Sequence, residues 1–393
     1  MNNGGKRKLR LGVAGLGRAF TIMLPTFTAD ERIALVAAAD PRAEARERFA
    51  KEFSAATYDS VEALCADPQV EAIYIATPHQ HHAAHAELAA RHGIHLLIEK
   101  PLAITLDECK AITAAAQRGG VQLVVGHSHS FDAPIARTRA LIESGKYGAV
   151  RMITALNFTD FLYRPRRPEE LDTAQGGGVA FSQAAHQIDI VRRLGGGRVK
   201  LVRAISGAWD PKRPTEGAYA ALLAFEEGAF ATLTYNGYGH FDSDEFQGWV
   251  GELGQRKDSN KPRPRRSYAS AADEAAAKNA GSYGGATYQP ASSEARTHQH
   301  FGTLIVSCER ADLRPMPDGV MIYQNGSGTF DPLSPPNVPR VEVINELYDA
   351  VVNGRTPLHD GAWATATLEV CLALLTSARE ERDVALAHQV ALR

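Results

Sequence analysis

The stretch LRLGVAGLGRAFTIMLPTFTADERIALVAAAD, residues 9–40, sets the expected fold of the N-terminal half. Its first apolar run predicts a buried strand, because strands that are covered on both faces are continuously apolar. A glycine turn, a helical pattern and a second apolar run follow, and Asp40 ends the stretch. This order of strand, turn, helix, strand and acid predicts a dinucleotide-binding βαβ unit.

The glycines of this stretch lie where a βαβ unit binds the pyrophosphate of a dinucleotide. Gly15 permits the tight turn, and Gly17 lets the phosphates approach the backbone at the start of the following helix, whose free N–H groups point at them. The third glycine of the usual pattern is absent, because Phe20 occupies its place. We expect cofactor contacts from the two glycines and from the next residues of the turn, which are Arg18, Ala19 and Phe20.

Asp40 predicts which cofactor is bound. It lies 23 residues after Gly17, close to the spacing of about 20 expected for the acid that binds the ribose hydroxyls. A carboxylate at this position would repel the 2′-phosphate of NADP, so we expect NAD. Arg42 lies two residues further on and could soften that preference, so NADP is not excluded.

Length and composition indicate a globular protein of two domains. The chain has 393 residues, of which 44% are hydrophobic and 22% charged, and its net charge of −2 gives no reason to expect a nucleic-acid or membrane partner. No apolar run reaches the ~20 residues that span a bilayer, and the N-terminus has no signal-peptide pattern. Four scattered cysteines fit a reducing cytoplasm rather than a disulfide scaffold or zinc ribbon: Cys65, Cys109, Cys308 and Cys371.

The order of predicted elements indicates the α/β class. Strands and helices alternate as far as residue 126, which predicts a doubly wound parallel sheet. The pattern then changes to alternating strands joined by turns, which predicts an open, mainly antiparallel sheet. We expect a Rossmann domain over residues 1–127, and an α/β domain for substrate binding and oligomerisation over residues 128–393.

Two features of the second half predict an interface between copies of the chain and a mobile loop. The uncovered face of an open sheet commonly packs on a copy of itself, so we expect a homo-oligomer, either a dimer or a tetramer. Residues 251–297 have little periodicity and are interpreted as a mobile loop. Their basic run KPRPRR, residues 261–266, has no aromatic platform, so we expect no nucleic-acid site there.

Residues that directly follow the parallel strands are the candidates for chemistry in the first domain. Lys100 is the expected catalytic residue, because a partly buried ammonium beside the cofactor could bind a substrate hydroxyl and help remove its proton. The histidines of residues 79–85 have no carboxylate or cysteine nearby to complete a ligand set, so we expect no metal. The remaining predicted cofactor contacts are Thr77, Pro78, His79, His82 and Glu99, although helix capping stays open for the histidines.

Two motifs of the second domain could act on a substrate. His186 and Asp189 are three residues apart on a predicted helix, where the carboxylate could orient the imidazole as a general base. A packing histidine is the alternative interpretation. Residues 164–167 are a basic loop in which Arg164, Arg166 or Arg167 could bind an anionic substrate, or simply be solvated.

Together these motifs resemble those of the Gfo/Idh/MocA oxidoreductases. The matching segments are GVAGLGRAF at 12–20, IATPHQHH at 75–82, IEKPLA at 98–103, and GGG with HQID within 176–189. The resemblance implies a Rossmann domain followed by an α/β domain, with Lys100 as catalytic lysine and His186 as catalytic histidine. It also places Ser182, Gln183 and His129 at the substrate, beside the two catalytic residues and the arginines Arg164 and Arg166.

Within this family the C-terminal half is similar to the phthalate dihydrodiol dehydrogenases, notably at residues 306–323 and 357–380. That similarity implies hydride transfer from a cyclic cis-diol that carries carboxylates. A sugar or inositol dehydrogenase is the alternative, although Ser182 and His129 stand where those enzymes usually have aspartate and arginine. A silent NAD-binding regulator is the alternative from another class, and the presence of both Lys100 and His186 argues against it.

Overall fold

The computed structural model describes residues 7–260, 265–290 and 296–393. Its packing divides the chain into two compact units. The first unit is built from Met1–His127, Ala275–Ser293 and Val338–Thr365, and the second from Ser128–Glu274, Glu294–Asn337 and Ala366–Arg393. The predicted first domain therefore also takes in two segments from much later in the chain.

The first unit contains a six-stranded parallel sheet. Its strands are β1 Leu9–Ala14, β2 Ile33–Ala39, β3 Ala56–Tyr58, β4 Ala72–Ile75, β5 His95–Ile98 and β6 Leu123–Val125. Their order is β3-β2-β1-β4-β5-β6, so the order in which successive strands are added reverses between β1 and β4, although all the strands are parallel. A crevice forms at the carboxyl ends of the strands at such a reversal, and dinucleotides bind there. The predicted Rossmann fold is confirmed.

The second unit contains a nine-stranded mixed sheet of order β14-β13-β12-β11-β7-β10-β9-β8-β15. Its strands are β7 Val150–Phe158, β8 Val199–Gly207, β9 Ala218–Phe225, β10 Phe230–Asn236, β11 Thr303–Cys308, β12 Asp312–Met316, β13 Gly319–Gln324, β14 Ser327–Pro332 and β15 Val384–Ala385. Only β7 and β10 pair in parallel among these strands, so the sheet is mainly antiparallel as predicted.

The described residues form ten α-helices. They are α1 Arg18–Ala29, α2 Ala43–Phe53, α3 Val61–Cys65, α4 His82–Arg91, α5 Leu106–Gly119, α6 Ala133–Glu143, α7 Ala185–Gly195, α8 Ala271–Ala280, α9 Val341–Val352 and α10 Gly361–Glu380. Local signals fix their ends: a capping box of Thr105 and Glu108 begins α5, and Gly120 ends it with a φ of 62°.

Helix α10 is the one helix among the described residues that is long and apolar enough to cross a bilayer. Within the fold, 61% of its most apolar window is buried. We therefore interpret it as a core helix.

The interpretation of residues 251–297 as a mobile loop needs correction for the described part of that segment. Helix α8 lies within it, and the side chains of Glu274 and Tyr283 are buried. Both side chains contact residues that are distant in the chain, so local periodicity does not predict their burial. The first part of the basic run, residues 261–264, lies outside the described residues.

Candidate active site

The glycine turn after β1 has the shape that a pyrophosphate requires. Gly15 has a φ of 94°, and a Cβ there would lie 2.8 Å from the carbonyl oxygen of Ala76 and 3.1 Å from the backbone nitrogen of Thr77. Gly17 precedes α1, no side chain caps the helix, and a Cβ at Gly17 would meet no described atom within 4 Å. Open space therefore faces uncapped N–H groups, which fits a bound phosphate.

Phe20 occupies a predicted cofactor-contact position, and its ring packs into the core. Its ring is fully buried, 6.0 Å from the ring of Phe49 and 5.1 Å from that of Tyr283. The ring is therefore held by protein side chains, and the expected contact of Phe20 with the cofactor stays a prediction. The third glycine is replaced because the position faces an aromatic core, in which Phe20 packs α1 against α2. Its neighbours Arg18 and Ala19 lie in the first turn of α1, beside the open space at Gly17.

Asp40 lies at the carboxyl end of β2, as predicted. One carboxylate oxygen accepts a hydrogen bond from the backbone N–H of Leu16, at 2.8 Å, in the glycine turn. The Nε of Arg42 donates to the other oxygen at 3.0 Å. The bond from Leu16 therefore fixes the turn to Asp40 at the end of β2, and both Asp40 and Arg42 belong to the predicted nucleotide site.

The segment after β4 brings Thr77, Pro78 and His79 beside the glycine turn, because β1 and β4 are neighbours in the sheet. His82 lies inside the fold, with Nε2 3.0 Å from the carbonyl oxygen of Thr77 and Nδ1 3.1 Å from that of Pro101. Burial lowers its pKa despite these carbonyls. The ring therefore joins the two loops that follow β4 and β5, and the expected cofactor contact of His82 stays a prediction.

Glu99 and Lys100 follow β5 at the same edge of the sheet. Strands β4 and β5 pair through Ile75 and Ile98, so their following loops begin side by side. The hydroxyl of Tyr74 donates to the carboxylate of Glu99. Burial raises the pKa of Tyr74 well above its usual value, so this hydroxyl stays protonated and remains a donor. Lys100, half-buried, is joined to Pro101 by a cis peptide bond.

The second unit brings together the two predicted substrate histidines. The rings of His129 and His186 are buried with centroids 4.8 Å apart, and both contact the ring of Phe301, at 5.2 and 4.9 Å. His186 lies on α7, while His129 precedes α6. Neither ring is at the surface, so an imidazole pair forms inside this unit.

Two carboxylates flank His129. Its Nδ1 lies 2.7 Å from Asp132, and its Nε2 lies 3.4 Å from Glu252. Burial opposes a charge on the ring, but the two carboxylates outweigh it and raise the pKa of His129. Burial likewise opposes a charge on Glu252, but His129 and Arg164 hold the pKa of that carboxyl well below its usual range.

Asp189 makes contacts that the sequence did not predict. Its carboxylate accepts hydrogen bonds from the hydroxyls of Ser128, Ser130 and Thr367. It therefore ties α7 to the loop before α6 and to α10. The expectation that Asp189 orients His186 stays a prediction.

The arginine loop lies in the same unit and is connected to the imidazole pair. Nη1 of Arg164 lies 4.0 Å from Glu252, the carboxylate that also contacts His129. The guanidinium of Arg166 lies 3.6 Å above the ring of Phe161, and burial lowers its pKa to about 10, so it stays charged at neutral pH. Arg167 is paired with Glu169 and Glu170 at 3.1 and 3.7 Å.

Ser182 and Gln183 lie on a single π-helical turn, Ala180–Ala184, directly before α7. The Ser182 hydroxyl donates to the carbonyl of Gly178, and the Gln183 amide oxygen accepts from Tyr235 at 3.0 Å. Such turns are frequent at functional sites. Here the turn leads directly into the helix that carries His186.

Sequence reasoning missed several residues that contact the predicted ones. They are Asp132, Tyr235, Glu252, Tyr283 and Phe301. Asp132 alone had a local signal, because it lies three residues from His129 before a helix. The others reach their partners from distant parts of the chain.

Family models match both parts of the chain. Residues 9–127 match the oxidoreductase family with an NAD-binding Rossmann fold, and residues 135–250 match the GFO/IDH/MocA C-terminal domain. The chain belongs to the Gfo/Idh/MocA oxidoreductase family. The predicted family, the oxidoreductase activity and the NAD cofactor are confirmed.

Two similar proteins align with almost the whole of this chain. One, from Comamonas testosteroni, is 49% identical over 95% of this chain and 96% of its own length, and is named 1-carboxy-3-chloro-3,4-dihydroxycyclohexa-1,5-diene dehydrogenase. The other is a solved structure from Bordetella bronchiseptica RB50, described as a dehydrogenase. It is 40% identical with a TM-score of 0.88, over 96% of this chain and 100% of that one.

A third protein shows the fold alone. The WlbA dehydrogenase from Bordetella pertussis, solved with NADH and UDP-GlcNAcA, is 20% identical with a TM-score of 0.68, over 97% of this chain and 99% of that one.

Proposed function

We propose that this oxidoreductase transfers hydride from a cyclic cis-diol that carries a carboxylate to NAD. The observation that supports this substrate most is a series of neighbouring charged and imidazole side chains in the second unit. Arg164 lies near Glu252, Glu252 contacts His129, and the ring of His129 packs against His186. A carboxylate recognised by the guanidinium would keep its ring near the imidazoles. The name of the Comamonas relative describes a diol of this type.

The proposed reaction uses residues that this chain supplies. Lys100 or His186 takes the proton of a substrate hydroxyl, and the carbon that bears this hydroxyl gives up a hydride. Bound NAD supplies the hydride acceptor. The product is a hydroxyketone in a diene ring, and its tautomer is an aromatic catechol. The glycine turn, the start of α1, Asp40 and Arg42 would hold the dinucleotide.

The experiment that tests the function is NADH formation with a matched panel of substrates. We expect turnover of a cyclohexadiene cis-diol carboxylate, a higher KM for the same diol without the carboxylate, and little turnover of glucose or myo-inositol. Oxidation of the sugar or inositol alone would favour a sugar dehydrogenase. Tight NAD binding with no turnover of any panel member would favour a silent regulator.

Two partly exposed arginines provide a matched pair of variants. Arg164→Gln removes a side chain that is 44% exposed, and Arg167→Gln one that is 38% exposed. We expect Arg164→Gln to raise KM for the carboxylated diol and to leave KM for the uncarboxylated diol unchanged. Both arginines pair with a nearby carboxylate at 3.1 Å, but Arg164 also lies 4.0 Å from Glu252, which contacts His129. Arg167→Gln should change neither KM, because Arg167 pairs instead with Glu169 and Glu170.

We also propose that copies of the chain associate through the second sheet and work in the cytoplasm. One face of that sheet exposes four large apolar side chains, one each on β8, β9, β10 and β11: Ile205, Leu222, Phe230 and Ile305. An uncovered apolar face of this kind usually marks an interface. The cysteines form no disulfide within the described part of the chain, as in a reducing compartment. Light scattering of wild type and Leu222→Lys tests the association, which the lysine should weaken.

A further inference from the structure

The guanidinium of Arg42 covers the carboxylate of Asp40. Its Nε and Nη2 donate to the two carboxylate oxygens at 3.0 and 3.2 Å, so the pair is bidentate. Nη2 also donates to the carbonyl of Leu16 at 2.9 Å. The Asp40 side chain is only 6% exposed, against 18% for Arg42. A ligand that reaches the end of β2 therefore meets the guanidinium before the carboxylate.

The fourth acceptor of this guanidinium comes from a distant segment. Nη1 of Arg42 donates to the backbone carbonyl of Tyr283 at 3.2 Å. Residues 275–290, which the sequence analysis treated as part of a loop, thus contact the residue beside the predicted ribose-binding acid. They belong to the first unit with the rest of this site.

The side chain of Tyr283 holds that carbonyl in place. Its hydroxyl donates to Glu52 on α2 at 2.8 Å, and its fully buried ring packs edge-on against Phe20 on α1. The next residue, Gly284, has a φ of 79°, and a Cβ there would lie 2.6 Å from the Cα of Ala45. The backbone therefore lies directly on the first turn of α2, where no side chain fits.

We propose that residues 275–290 form part of the dinucleotide site, and that Arg42, held by Asp40 and the Tyr283 carbonyl, is the residue that selects between NAD and NADP. The proposal rests on the proposed NAD-dependent function. Asp40 then acts as a positioning residue through Arg42. Because the buried carboxylate neutralises the guanidinium, the site carries almost no net charge, and wild type discriminates only modestly between a ribose hydroxyl and a 2′-phosphate.

The variants separate this arrangement from direct binding of the ribose by Asp40. Arg42→Ala uncovers the carboxylate and removes its cation, so NADP binding should fall about 10- to 100-fold more than NAD binding, as expected for one charge-assisted hydrogen bond to a phosphate. Tyr283→Ala keeps the backbone carbonyl but removes the side chain that holds it in place, so Arg42 is less firmly positioned and the NADP-to-NAD affinity ratio should fall in the same direction, by less. Tyr348→Ala is the matched control, because Tyr348 is also a tyrosine of the first unit whose ring lies 5.3 Å from a guanidinium, that of Arg32, and it lies outside residues 275–290.

The measurement is isothermal titration calorimetry of NAD and NADP with each purified full-length variant, alongside melting curves without cofactor. Unchanged affinity ratios in Arg42→Ala would overturn the proposal, as would equal effects of Tyr283→Ala and Tyr348→Ala. If Tyr283→Ala does not fold, Tyr283→Phe, which loses only the bond to Glu52, and Arg42→Ala still decide the matter. Failure of wild type to bind either dinucleotide would instead refute the proposed function itself.

Discussion

Replacing Glu274 is the sharpest test of how the arginine loop is held. Its carboxylate accepts two hydrogen bonds from Nη1 of Arg213, at 2.7 and 2.8 Å, and one from the backbone N–H of Arg166, at 2.8 Å. Both members of the ion pair are buried. Glu274→Ala would therefore leave a buried guanidinium without its carboxylate and a backbone donor without its acceptor.

The expected loss follows from these contacts. Removing one partner of a buried ion pair costs about 3–5 kcal/mol, and an unsatisfied buried donor costs about 1–3 kcal/mol. The two contributions overlap, so we expect Glu274→Ala to lower the free energy of unfolding of the second unit by about 4 kcal/mol. Glu274→Gln keeps an acceptor for the N–H and should lose less. The double variant Arg213→Met/Glu274→Leu should recover much of the loss, because no unpaired charge remains.

Urea unfolding followed by circular dichroism measures these losses, with Asp273→Asn as an exposed control on the same helix. KM for the carboxylated diol should rise in Glu274→Ala, with kcat nearly unchanged, because the anchor of the Arg166 backbone is lost. A loss below about 0.5 kcal/mol, the range of ordinary surface substitutions, would show that α8 does not hold the arginine loop.

Three further predictions concern the other parts of the site. Lys100→Ala should keep NAD affinity, measured by calorimetry, and lower turnover about 10²- to 10⁴-fold if the ammonium moves the proton; near-normal turnover would remove it from the mechanism. Glu252→Gln should lower the pKa of His129 in an NMR titration, because one of two flanking carboxylates is lost, and an unchanged titration would contradict the assigned contacts. Burial lowers the pKa of His85 from 6.5 to about 4, so the fold keeps this ring neutral and loses stability as pH falls from 6.5 towards 4. The melting temperature should therefore fall further over that range in wild type than in His85→Gln, and parallel curves would refute this.

Much of the Rossmann unit could be predicted because its signals are local. A glycine with positive φ at Gly15, a capping box before α5 and continuous apolar runs each depend on residues that are close in sequence. The same holds for α7, whose apolar face and terminal Gly196 define it without knowledge of the partner surface. Periodicity and turn chemistry determine such elements before any tertiary contact forms.

The surroundings of two predicted cofactor contacts could not be predicted from the sequence. Phe20 was assigned to the cofactor because it occupies a motif position, yet Phe49 and Tyr283 surround its ring. His82 was assigned likewise, yet carbonyls from two loops enclose it. Side-chain direction depends on the neighbours that packing supplies, and motif spacing carries no information about them.

The sequence by itself determined the fold class, the family, the cofactor type and the identity of the principal candidate residues, because short-range patterns encode all of these. Only the tertiary structure decided that Glu252 lies beside His129 and that the Tyr283 carbonyl holds Arg42. These pairs are separated by more than 100 residues in the chain. Contacts between residues so far apart in the chain form only when the whole unit packs, so no local sequence pattern predicts them.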